Sequence, residues 1–173
     1  MTDATEREEL EFSLTLSGTY WRQPPEFAIS IDGELIQQGK ITQPSSRAGL
    51  FDESSMSELD KANSYQEIVF KHSLEPGDHQ LEISFLHKDS KRDTLLRDGN
   101  IVNDLMLTVE GVKIDGVDLG ILRFQESIYK LTQSHMHNGN ETAALENVVT
   151  MGYPGTWCLK FQSPFYLWLL ERI

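Results

Sequence analysis

The stretch Asn103–Gly116, NDLMLTVEGVKIDG, carries apolar side chains at Leu105, Leu107 and Val109, and then at Val112 and Ile114. Successive side chains of a strand point to opposite faces, so the first three share one face. After Gly111 the apolar set moves from odd to even positions, and it stays on that face only if one extra residue is inserted. The stretch therefore reads as a strand bent by a β-bulge at Gly111 and closed by the turn pair Asp115-Gly116. Bent strands of this kind build the corners of sandwiches and barrels.

The same alternation recurs outward from this point. Phe12, Leu14 and Leu16 alternate with Ser13, Thr15 and Ser17 up to Gly18, a half-buried strand. Phe27, Ile29 and Ile31 repeat the pattern, Asp32-Gly33 supplies a tight turn, and Leu35-Ile36 begins the return strand. Ile68, Phe70 and Leu74 lie before the turn Glu75-Pro76-Gly77-Asp78, and Leu81, Ile83 and Phe85 lie after it, which reads as a second hairpin. Trp157, Leu159 and Phe161 form a further strand. Residues 39–64, rich in serine and acids, read as a surface insertion, and 87–103 as a loop. Between 126 and 155 the pattern weakens, and ETAALENVV suits two turns of helix. Ser163-Pro164 reads as an N-cap and first helical position opening the terminal helix FYLWLLERI. Helix-length crossovers are missing from the first 124 residues, so the expected fold is all-β, an antiparallel β-sandwich or jelly roll with a short C-terminal helix. The expected organisation is a single domain over 1–173. Its core spans 12–124, and 125–173 adds a polar insertion, the final strand and the apolar helix.

Composition excludes some functions. A net charge of -12 and a pI near 4.7 repel phosphate backbones and anionic membranes, so neither nucleic acid nor membrane is an expected partner. One cysteine, Cys158, makes no internal disulfide. The N-terminal MTDATEREELEF lacks the basic start and apolar centre of a signal peptide, and no run of ~18 apolar residues occurs, so a soluble protein is expected. The sequon at Asn140 then reads as chance. GELIQQGKI, Gly33–Ile41, has the wrong spacing for a phosphate loop and sits at a hairpin. His135-Met136-His137 lacks a third metal ligand nearby and reads as exposed loop. Cys158 has no marked partner and no nucleophile elbow is present, so an enzyme is not expected.

HQLEISFLHKD, His79–Asp89, followed by NDLMLTVEGVKIDG resembles the calcium-dependent xylan-binding carbohydrate-binding modules, which are jelly rolls. PPEFAISIDGELI, Pro24–Ile36, is similar to the early hairpin of that family, and together the likeness covers roughly residues 12–120. Asp104 takes the place of the signature's first acid, Leu107 its leucine, Glu110 its second acid, and Asp115-Gly116 its end. Leu105 and Met106 stand where the signature has arginine and asparagine. The resemblance implies calcium near Asp89, Asn103 and Asp104, with Tyr20 and Trp21 as aromatic ligand-binding residues. Six residues of strand put Asp104 and Glu110 roughly 20 Å apart, so they cannot share an ion. Lys88, Lys91, Arg92 and Arg97 offset the acids of this loop.

The terminal helix is apolar on nearly every side, and Phe165, Tyr166, Trp168 and Leu169 are candidate partner-binding residues. With the ending GTWCLKFQSPFYLWLL, the small acidic chain also resembles accessory proteins of tailed-phage particles. The leading expectation is a non-catalytic structural or decoration module of a larger assembly, a phage capsid or tail protein located in the virion. Its partners would be copies of itself, as a homo-oligomer, or other structural proteins. The alternative is a calcium-dependent module binding a cell-surface glycan.

Overall fold

The computed structural model describes residues 6–19, 21–42 and 65–173. Tyr20 and positions 43–64 of the serine-rich insertion lie outside the described residues. Two antiparallel sheets face each other. In the first, β12 (Thr150–Met151), β8 (Met106–Ile114), β1 (Glu8–Thr19) and β4 (Tyr65–Leu74) lie side by side, with β9 (Val117–Asp118) also paired to β8. In the second, the order is β11 (Asn140–Glu146), β10 (Ser127–His137), β13 (Gly155–Ser163), β5 (Gly77–Leu86), β2 (Glu26–Ile31) and β3 (Glu34–Lys40). A separate ribbon pairs β6 (Thr94–Arg97) with β7 (Asn100–Asp104). The all-β sandwich read from the sequence is the observed architecture.

Alternation explains the core. Leu10, Phe12, Leu14 and Leu16 of β1 are fully buried and face Phe27, Ile29, Leu81, Ile83, Trp157, Leu159 and Phe161 across the sandwich. Each such side chain contributes about 1.5–3 kcal/mol by leaving water. The bulge in β8 is present: Thr15 pairs Gly111 while Leu16 pairs Val109, leaving Glu110 as the extra residue. Val109 and Val112 are consequently both buried. Glu110 turns back to its own sheet and accepts a 2.5 Å hydrogen bond from the Ser17 hydroxyl.

Four local expectations are corrected. The Glu75–Gly77 turn does not close a hairpin, because β4 pairs β1 in one sheet and β5 pairs β13 and β2 in the other. The same turn chemistry serves a crossing between sheets. The 87–103 segment contains the β6–β7 ribbon, turned at Asp98-Gly99, where both residues have positive φ. ETAALENVV is strand and loop rather than helix: β11 pairs with β10 through a tight turn at Asn138-Gly139, φ 50° and 80°. That pairing overrides the helical propensity of Thr-Ala-Ala-Leu. Finally, the terminal helix α2 (Phe165–Leu170), which follows the shorter α1 (Leu122–Gln125), has Pro164 as its N-cap position, not Ser163. Its first amide is satisfied instead by the Glu8 carboxylate, which accepts from the Phe165 N–H at 2.9 Å and from the Ser163 hydroxyl at 2.6 Å. Among the described residues no helix is long and apolar enough to cross a membrane.

Candidate functional site

β13 begins at Gly155, and the loops that gather around that end are held by buried charge. The Lys88 side chain is only 1% exposed, and its ammonium lies 2.6 Å from Asp104 Oδ1 while also donating to the Gly152 carbonyl. Asp104 accepts a second hydrogen bond from the Thr94 hydroxyl at 2.7 Å, and its carbonyl accepts from Thr19 Oγ1 at 2.7 Å. Burial pulls the Lys88 pKa down and Asp104 pulls it back up, leaving it below that of a free lysine. Next to this pair, Asp93 is fully buried. Arg92 grips it through Nε and Nη2, each at 2.9 Å, the forked geometry of a strong charge-assisted pair. Gln23 Nε2 at 3.0 Å and the Asp89 N–H at 2.9 Å complete its partners. Burial alone would raise the Asp93 pKa, but these donors, Arg92 foremost, hold it below the usual carboxylate value.

The neighbouring turn Gly152–Pro154 is fixed at each of its carbonyls. Lys88 holds that of Gly152. The buried Tyr129 phenol donates to the Tyr153 carbonyl and accepts from the Tyr153 N–H at 3.0 Å. The Pro154 carbonyl accepts from the Thr132 N–H at 2.9 Å. Burial pushes the Tyr129 phenol well above the ordinary tyrosine pKa, so it remains a donor. Upstream on β10, Lys130 pairs Ala144 but His135 pairs Thr142, so residues 131–134 bulge from the ribbon. The bulge leaves His135 stacked on Tyr153, ring centroids 4.1 Å apart and planes 21° from parallel. Between the 88–91 turn, Thr132, Gln133, His135 and Pro154 runs a groove of about 550 Å³. It offers hydroxyl, amide, carboxylate and ammonium groups beside the His135 ring, which Tyr153 supports from a fixed turn.

The residues singled out from sequence fall differently. Asp104 and Asp89 do reach this end, but not as a ligand set. Asp104 is occupied by Lys88 and Thr94, and Asp89 Oδ1 accepts the Lys91 N–H at 2.9 Å. Asn103 sits in the β6–β7 ribbon opposite Leu95. Among the described residues no three His, Cys, Asp or Glu side chains converge as a metal-binding group. Trp21 is half-buried, with the Arg22 guanidinium 5.6 Å from its ring centroid, and it does not line the groove. Of the helix residues, Phe165 and Trp168 are buried in the chain's own core and are not free to meet a partner. Leu169 is partly buried, and Tyr166 is exposed. Tyr129 and Tyr153 escaped the sequence reading, although the turn chemistry of Tyr153-Pro154-Gly155 marks an aromatic held in a loop; His135, read there as exposed loop, lies half-buried in β10 because the strand pairs with β11.

The antiparallel β-sandwich is similar in fold to solved carbohydrate-binding modules. One solved structure, the selenomethionine form of the module vCBM60, described as linking two families of calcium-dependent carbohydrate-binding modules by circular permutation, is similar at TM-score 0.51 and 10% identity. The match covers 87% of this chain and 89% of that one. vCBM60 in complex with galactobiose is similar at TM-score 0.49 and 8% identity, covering 88% of this chain and 97% of that one. No protein-family model and no curated protein matches the chain. The comparisons lend no support to a place in a phage particle.

Proposed function

We propose that the protein is a non-catalytic glycan-binding module and that the sugar docks in the groove between the 88–91 turn and the β10 bulge. The observation that carries this reading is His135, which lines a polar groove and is backed by Tyr153, a ring stacked on it and held by a turn whose carbonyls are all bonded. Sugars present apolar C–H faces that stack on aromatic rings and hydroxyls that exchange hydrogen bonds with short polar side chains. A site already fixed before binding loses little entropy when the ligand arrives. The carbohydrate-binding-module fold supports the same reading and favours it over a structural role in a phage particle.

Calcium, on which the similar modules depend, does not fit the carboxylates that the described residues bring to this end. The ion takes six to eight oxygens. Here the Asp104 carboxylate is bound by an ammonium and a hydroxyl, and the Asp93 carboxylate by a guanidinium, an amide and a backbone N–H. Sugar binding is therefore assigned to the groove's own side chains.

Titration of the purified chain with a panel of neutral and acidic oligosaccharides tests the reading. Tyr153→Ala and His135→Ala should each weaken binding about tenfold or more. The thermal midpoint should move by only ~2 °C, because neither ring belongs to the buried core. Unchanged affinity in both variants, or a wild-type chain that binds nothing in the panel, would remove the proposal.

A further inference from the structure

The sandwich end described above contains a cation of its own. Lys88 Nζ sits among oxygens, the Asp104 carboxylate at 2.6 Å and the Gly152 carbonyl, which are the two oxygen types calcium sites draw on. The side chain reaches this position from the end of β5, across the Phe85 ring, whose centroid lies 6.0 Å from the ammonium. Through its contacts Lys88 connects three segments: its own loop, the β7–β8 junction at Asp104, and the Gly152–Pro154 turn. Thr94 and Thr19 add hydrogen bonds to Asp104 from two further strands. A divalent ion in a loop site does the same work, neutralising a buried carboxylate and fixing backbone carbonyls.

We propose that Lys88 plays at this end of the sandwich the part that a divalent ion plays in a loop site, so that the loops carrying the groove are organised by a covalently attached cation and are independent of calcium. The proposal stands whether or not the groove takes a sugar.

Thermal unfolding of the full chain tests it in two arms. In the first, the wild-type midpoint is measured in EDTA and then with about 5 mM calcium, above the dissociation constants of weak protein calcium sites. The midpoints should coincide. A site of even ~0.1 mM affinity would raise the second by about 5 °C or more, and that result would overturn the proposal. In the second, Lys88→Met should lower the midpoint by about 10 °C, because Asp104 is left as a buried carboxylate without its cation. Adding Asp104→Asn to Lys88→Met should recover part of the loss. If Lys88→Met does not fold, the double variant decides: a folded double variant supports the pairing, and one as unstable as the single variant sinks it. A Lys88→Met protein with the wild-type midpoint would also sink it.

Discussion

β13 runs from Gly155 to Ser163, and its nine residues, about 30 Å of strand, separate two ends of the sandwich closed by opposite means. At the Ser163 end, Phe165 and Trp168 of α2 are plugged into the core, with Arg172 lying 4.7 Å from the Trp168 ring centroid and paired to Glu126 at 3.1 Å. At the Gly155 end the closure is made by Lys88, Asp104, Asp93 and Tyr129, side chains that would rather be in water. Apolar closure stabilises in proportion to buried area and without direction. Buried ion pairs contribute little net stability, because desolvation offsets attraction, yet they fix positions once every partner is satisfied. One end secures the fold, and the other presents fixed polar groups and an aromatic pair.

The division of labour can be broken by substitution. Trp168→Ala should cost about 3–5 kcal/mol in denaturant unfolding, the scale for removing a large buried ring, while leaving groove affinity unchanged where the protein is still folded. Weakened sugar binding in the folded variant would show the two ends to be coupled. Leu167→Ala, on the exposed side of the same helix, should change stability by no more than ~0.5 kcal/mol. Next in size, Glu8→Ala should cost about 1–2 kcal/mol, since it removes the acceptor for the first amide of α2. A change below measurement error would mean that water replaces the carboxylate freely.

A small, pH-dependent effect belongs to His79. Its Nδ1 lies 2.7 Å from Asp32 Oδ2 and its Nε2 lies 2.6 Å from the Glu75 carbonyl; both partners only accept, so both ring nitrogens donate and the imidazolium is favoured. Burial lowers its pKa, but Asp32 and the Glu75 carbonyl together raise it above the ordinary 6.5. A folded pKa above the unfolded one gives stability that is fully present below pH 6.5 and is lost as pH rises through the folded value. His79→Gln should therefore differ from wild type by less than about 1 kcal/mol at about pH 5.5, and by still less at about pH 9. An undiminished difference at the higher pH would exclude the charged form.

Much of the fold was legible because burial on one face writes a period of two into a strand. β1, β2 and β13 carry that period, and the parity change after Val109 marked the bulge. β10 beyond Leu131 and β11 expose most side chains on both faces, so no alternation could reveal them. Turn residues identified the reversal at Glu75–Gly77 but could not say that the chain changes sheets there. The site was less legible. Asp104 stood out as an acid, yet its role depends on Lys88, sixteen positions earlier, reaching inward rather than out to solvent. Tyr153 is positioned by Tyr129, twenty-four residues away, a relation that only the folded chain creates.

The contact between Glu8 and Phe165 spans 157 positions of the sequence, and it bears on time as well as stability. Bringing segments so distant together has a high entropic cost, and sheets dominated by such non-local pairs fold slowly, in milliseconds to seconds. The Glu8 clasp forms only after β1 and β13 have found their places in opposite sheets. Glu8→Ala is therefore expected to speed unfolding while leaving the folding rate nearly unchanged, a split that stopped-flow kinetics would read directly.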